Sequence, residues 1–82
     1  MRTGLQDGYI LFVFDIEDWN IADNGAQAMI LAIKREIKPC NGENPDGWTY
    51  DPETKVWSMK NTTANREMFE RLAKEHLNGG KA

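Results

Sequence analysis

The stretch Trp48-Thr49-Tyr50-Asp51-Pro52-Glu53-Thr54-Lys55-Val56-Trp57-Ser58-Met59 decides the fold, because it reads as two short strands around one turn. Pro52 presets the second turn position, and the Asp51 carboxylate can accept a hydrogen bond from the turn's own amides. Side chains alternate along a strand. With Trp48 opposite Trp57 and Tyr50 opposite Lys55, the large side chains Trp48, Tyr50, Trp57 and Met59 therefore share one face. Thr49, Val56, Ser58 and Lys60 take the other. A slip of one residue would part the tryptophans, so the apolar pattern favours this pairing.

Upstream, Tyr9-Ile10-Leu11-Phe12-Val13-Phe14 is an unbroken run of apolar side chains rich in β-branched and aromatic residues. The lack of alternation predicts a central strand covered on both faces. Residues 1–8, polar and containing glycine, read as a flexible N-terminus. Glu17-Asp18-Trp19-Asn20 leaves the sheet. A first helix is expected from Asp23 or Asn24, where Asn24 and Gln27 have the spacing of a reciprocal cap. Ala26, Met29, Ile30, Ile33 and Ile37 draw one apolar stripe along it. Leu31 falls off that stripe, and Pro39 ends the helix.

Residues 40–47 form a loop by composition, with room to be mobile. After the hairpin, Asn61-Thr62-Thr63 offers caps for a second helix over about Ala64 to Leu77, whose inner side carries Met68, Phe69, Leu72, Ala73, His76 and Leu77. Glu67 with Arg71 and Glu70 with Lys74 are spaced as ion pairs one turn apart. Asn78-Gly79-Gly80 closes the helix, and 79–82 reads as a flexible tail. The expected architecture is a single small two-layer α+β domain over residues 9–78. It holds about three strands and two helices, in the order strand, helix, hairpin, helix.

The chain has 82 residues, enough for one core. Its single cysteine, Cys40, excludes an intrachain disulfide and a cysteine-rich zinc site. No apolar run is long enough to cross a membrane, so no membrane role is expected and a cytoplasmic location is the default reading. A formal charge of −3 gives no overall attraction to phosphate backbones. A nucleic-acid role would need a local basic face, for which Lys34, Arg35 and Lys38 form one group and Lys55 with Lys60 another.

The chemistry-bearing residues do not assemble into a catalytic set. Asp15, Glu17, Asp18 and Asp23 are the most plausible oxygen-ligand cluster for a hard cation, but acids between a strand and a helix commonly serve as caps and solvated groups. His76 has no nucleophile or orienting acid at a readable spacing, and Cys40 has no neighbour that would lower its pKa. Phosphate-binding glycine loops are absent from the sequence. No catalytic residue, metal or cofactor is expected.

The reading that remains is a non-enzymatic binding or adaptor protein that recognises a protein partner through its surface, as a monomer or weak homodimer. Trp19, Leu31, Tyr50 and Trp57 are the expected contacts, since tryptophan and tyrosine concentrate interface energy.

Tyr50-Asp51-Pro52-Glu53-Thr54-Lys55-Val56-Trp57 also resembles the Tyr-Asp-Pro-x-Thr-x-x-Trp-like hairpin of HARP-type domains, small modules attached to DNA-annealing helicases. The helices expected over Ala26–Ile37 and Arg66–Leu77 are compatible with that family's element order. The resemblance implies a module that binds structured DNA. With no helicase domain in this chain, it implies an accessory working beside a motor on another polypeptide. Tyr50, Lys55, Trp57 and Lys60 are then the implied DNA contacts. This alternative requires Lys55 and Lys60 to join Lys34, Arg35 or Lys38 in one positive patch.

Overall fold

β2 (Tyr9–Val13) is the strand on which the other elements assemble, and the computed structural model describes it within residues 1–22 and 25–78. On one side it pairs with β1 (Arg2–Gln6), antiparallel, with Gly4 opposite Leu11 and Gln6 opposite Tyr9. Asp7 and Gly8 make the connection at φ 53° and 83°. Positive φ at both central residues is what a tight hairpin between right-twisted strands requires, and Asp-Gly supplies it at low cost. The segment expected to be a flexible N-terminus is therefore an edge strand over most of its length. Its residues are exposed from end to end, so it carries no apolar alternation to announce it.

On its other side β2 pairs with β4 (Val56–Lys60), which in turn pairs with β3 (Thr49–Asp51). The sheet order is β1-β2-β4-β3, antiparallel throughout. Thus the α+β class holds, with four strands where about three were expected.

The hairpin register differs from the expected one. Tyr50 stands opposite Trp57, Thr49 opposite Ser58 and Asp51 opposite Val56. Lys55 is drawn into the turn at φ 63°, where its amide donates to the Asp51 carbonyl at 2.7 Å. The Asp51 carboxylate accepts from the Glu53 amide at 2.9 Å, as the turn chemistry predicts. A shift of two residues preserves side-chain parity, so Trp57 and Met59 still face the core.

Three helices follow from the remaining segments. α1 (Ile16–Trp19) is a single turn where a plain exit from the sheet was expected. α2 (Gly25–Glu36) buries Ala26, Met29, Ala32 and Ile33. Its expected cap at Asp23 and Asn24 lies outside the described residues. α3 (Thr63–Ala73) starts at Thr62, whose hydroxyl accepts from the Asn65 amide at 3.0 Å. A wider π-helical turn, Lys74–Asn78, then carries Leu77 into the core. Arg71 pairs with Glu36 of α2 at 2.5 Å, tying the helices together at their outer edge.

All of this packs on one side of the sheet. Ile10 and Phe12 from β2 and Trp57 and Met59 from β4 meet Met29 and Ile33 of α2 and Met68, Phe69 and Leu72 of α3. Each fully buried large side chain contributes about 1.5–3 kcal/mol. The rings of Phe12 and Phe69 lie 4.8 Å apart at the centre.

The loop of residues 40–47 is stapled to its surroundings. The Cys40 amide donates to the Trp48 carbonyl at 2.9 Å, and the Asn44 side chain donates to the Lys38 carbonyl at 3.0 Å. Asn65, buried at the start of α3, donates from Nδ2 to the carbonyls of Asp46 (2.9 Å) and Lys60 (3.0 Å). One amide group thus ties the loop, the end of β4 and α3 together.

Candidate functional site

The face of the sheet opposite the helices is the candidate site. Alternation places Tyr9, Leu11 and Val13 of β2 there, beside Arg2, Gly4 and Gln6 of β1. β4 and β3 add Val56, Ser58 and Lys60, with Thr49 and Asp51. Tyr9 is 44 % exposed, and Leu11, Val13 and Val56 are half-buried. The expectation that both faces of β2 are covered is thus corrected: helices cover Ile10 and Phe12, while the Leu11 side stays open. Two helices of about 10 Å diameter suffice to cover one face of so small a sheet, and among the described residues no further element is left for the second.

Leu11 is the centre of this face. Shallow grooves run from it along β1, lined by Arg2, Gly4, Val13 and Val56, and towards β3, lined by Thr49, Asp51 and Ser58. Gly4 opposite Leu11 leaves open space above the edge strand, since nothing lies within 4 Å of where a Cβ would sit. The hydroxyls of Thr49 and Ser58 hydrogen-bond each other across the hairpin. The middle row therefore combines Leu11 with a polar pair that already satisfies part of its own demand.

The contacts expected from the sequence are dispersed. Trp57 is only 7 % exposed and belongs to the core, which removes it as a surface contact. Trp19 (49 % exposed) and Tyr50 (39 % exposed) are the two outer ends of one aromatic chain. Trp19 packs on Phe14 at 5.8 Å, Phe14 on Phe12 at 5.7 Å, Phe12 on Trp57 at 6.3 Å and Trp57 on Tyr50 at 4.5 Å. The exposed edges of that chain finish the core. Leu31, 51 % exposed, stands apart on the outside of α2.

The basic residues are parted as well. Lys34 leans over the rings of Trp48 and Trp57, 5.1 Å and 5.7 Å from their centroids, on the helix side of the hairpin. Lys60 lies on the open face and pairs with Asp46 at 3.6 Å, while Lys55 sits in the turn at the far end of β4. Arg35 and Lys38 are exposed near the end of α2. The sheet stands between Lys34 and Lys60, so the five cations do not merge into one patch.

Of the acidic cluster, Asp15 and Asp18 have structural employment, and Asp23 lies outside the described residues. Asp18, buried, accepts from the Asp15 amide at 2.7 Å, and its carboxylate lies 2.7 Å from the Met1 amine. Asp15 faces the same amine at 3.1 Å and Arg2 at 3.2 Å. Burial works against the charged amine, but hydrogen bonds and charge from Asp18 and Asp15 outweigh it and hold its pKa up. The amine's hydrogen bond, assisted by Arg2, holds the Asp15 carboxyl below the usual range. Among the described residues no group of acids, histidine and cysteine is arranged to hold a metal ion, and no helix is long and apolar enough to cross a membrane. His76 Nε2 stands 4.0 Å from Glu75, and Cys40 is exposed with its Sγ 3.4 Å from the Pro45 carbonyl.

No family model, curated protein or solved structure matches this chain. The likeness to HARP-type domains therefore rests on the hairpin residues Tyr50 to Trp57 and the element order. The β2 half of the open face was missed in the sequence because the Tyr9–Phe14 run was read as a strand with two covers, whereas the hairpin half, Thr49, Val56, Ser58 and Lys60, was already set apart from the aromatic side. The same run held the signal: apolar residues of both parities in a sequence whose periodicity predicts two long helices.

Proposed function

We propose that this protein is a non-enzymatic binding module that recognises a protein surface with the open face of its sheet, centred on Leu11. The observation that carries the reading is the placement of Tyr9, Leu11, Val13 and Val56 together on a face that no described element covers. A contiguous apolar surface framed by polar residues is the usual mark of an interaction site. The frame here is Arg2, Gln6, Lys60 and Asp51, which gives an apolar centre and a charged rim. DNA recognition has less support, because its cations lie on different sides of the sheet.

The test places a photo-crosslinking phenylalanine analogue at position 11 in cells, with the same analogue at exposed Glu67 of α3 as control. The expected result is a protein adduct at position 11 that greatly exceeds any adduct at position 67. Equal yields at the two positions refute the reading.

A further inference from the structure

The charges around the open face are arranged in a way that selects its occupant. Across the sheet the outward residues form rows. The first runs Arg2, Val13, Val56, Asp51, with Val13 and Val56 adjacent when the β2–β4 register is extended by one step. The second runs Gly4, Leu11, Ser58, Thr49, and the third begins Gln6, Tyr9, Lys60. The first row is a cation at the β1 edge, two valines in the middle and an anion at the β3 edge.

We propose that the open face is covered by a second copy of this chain, packed face to face about a twofold axis parallel to the strands. The proposal rests on the reading of this face as a binding surface, and names its partner. Such an axis lays the β1 edge of one copy over the β3 edge of the other, so every residue meets its mirror position in the same row. Arg2 then faces the second copy's Asp51, Val13 faces Val56, and Tyr9 faces Lys60. In the two outer rows the pairings are of matched chemistry, an ion pair, an apolar contact and a cation over an aromatic ring, while the middle row lays Leu11 on Ser58 and Gly4 on Thr49. A twofold axis across the strands would lay Leu11 on Leu11 and Val13 on Tyr9, but it would also set Val56 against Lys60 and Arg2 against Gln6, which buries a charge on a valine and leaves Arg2 and Asp51 without opposite charges. Charge complementarity therefore chooses the axis, and stacked twisted sheets accept it with strands roughly aligned at about 30°.

The area limits the strength. Four strands at about 4.8 Å spacing and about five residues at about 3.4 Å each give a footprint of roughly 300 Å² per copy. Doubled, that is below the roughly 1,200–2,000 Å² of stable interfaces, so the dimer is a weak and reversible one. Arg2 is largely exposed where it touches Asp15, so its guanidinium has donors left for a second carboxylate.

Sedimentation equilibrium on the full chain from about 5 to about 500 µM covers the range expected for so small an interface. The wild-type weight-average mass is expected to climb from monomer towards dimer. Amide shifts on dilution should concentrate at Tyr9, Leu11, Val13, Val56 and Ser58. Arg2→Glu or Asp51→Lys alone should weaken the dimer about tenfold, because each reversal is repeated about the twofold axis. The double variant should recover to within about threefold of wild type, as the swapped charges pair again. Circular dichroism confirms that the variants are folded, and the wild-type concentration series stands without them. A wild-type chain that stays monomeric while position 11 crosslinks to another protein overturns this proposal and leaves the binding reading standing. A monomer with no adduct at position 11 overturns both, and a dimer whose shifts map to α2 and α3 overturns the face.

Discussion

Replacing Gly47 by alanine tests how the loop before the hairpin is held. A Cβ at this position would lie 2.2 Å from the Lys38 carbonyl oxygen, and 2.6 Å from both the Cys40 nitrogen and the Pro39 carbonyl carbon. All of these are backbone atoms and cannot rotate away. The segments must separate, which endangers the Cys40 amide bond to the Trp48 carbonyl and the Trp48 amide bond to the Lys38 carbonyl, now 2.9 Å and 3.3 Å. Overpacking of this kind costs about 1–3 kcal/mol. Each lost hydrogen bond adds about 0.5–1.5 kcal/mol. Restricting the unfolded chain returns only about 0.4–1 kcal/mol. The expected net loss is about 2–4 kcal/mol, against a total stability of about 4–12 kcal/mol for a chain of this length. Urea unfolding followed by circular dichroism reads it directly, and a loss of 3 kcal/mol lowers Tm by roughly 12–24 °C. Tryptophan emission should also shift, because Trp48 is displaced from its packing on Trp57, whose ring lies 5.5 Å away. Gly42→Ala is the control: nothing lies within 4 Å of a Cβ there, so its cost should stay within about 0.5 kcal/mol. Equal stabilities for the two variants would refute the account of close backbone approach.

Asn65→Ala should cost about 2–3 kcal/mol in the same unfolding assay, since it strips donors from the Asp46 and Lys60 carbonyls; a loss below about 0.5 kcal/mol would show the tie to be dispensable. At Lys55, held at φ 63°, glycine should be neutral or stabilising by up to about 1 kcal/mol and valine destabilising by about 1–2 kcal/mol, an order whose inversion would contradict the turn geometry. The Met1 amine and Asp15 give a pH dependence with two limbs. The amine's contribution is complete below its ordinary value of 8.0 and is lost as pH rises through its raised folded value. Asp15 contributes above its ordinary 3.8, and that is lost as pH falls through its lowered folded value. Tm measured against pH should therefore show acetylation of the amine lowering stability near neutrality, with the gap closing at alkaline pH; a gap independent of pH would exclude the pairing.

Several elements were legible because a local rule was enough to place them. The Asp51-Pro52 turn, the stripe of α2 and its stop before Pro39, and the Thr62 cap each follow from short-range stereochemistry and periodicity. β1 escaped notice because Arg2, Thr3 and Gln6 carry no apolar signal, although Asp7-Gly8 marks a hairpin by itself. The hairpin register was placed two residues off because the left-handed conformation of Lys55 is set by closing the turn, not by any residue preference. Parity survived that error, and with it the composition of the core face. The candidate site fared worse. Trp19 and Tyr50 were singled out as large aromatics, yet their rings continue the chain through Phe14, Phe12 and Trp57, and Trp57 itself is core.

By itself, the sequence determined where β2, the hairpin, α2 and α3 lie, that Trp57 and Met59 share the inward side of β4, and that one small α+β core is built. Those properties depend on neighbours within a few positions. Only the tertiary structure decided that both long helices settle on the Ile10 and Phe12 side, leaving Leu11, Val13 and Val56 uncovered, and that Arg2 and Asp51 end on opposite edges of one row. Such facts depend on strand order and on which face receives the helices. Residues far apart in the chain settle them together, by burying the larger of the two apolar faces that β2 and β4 present.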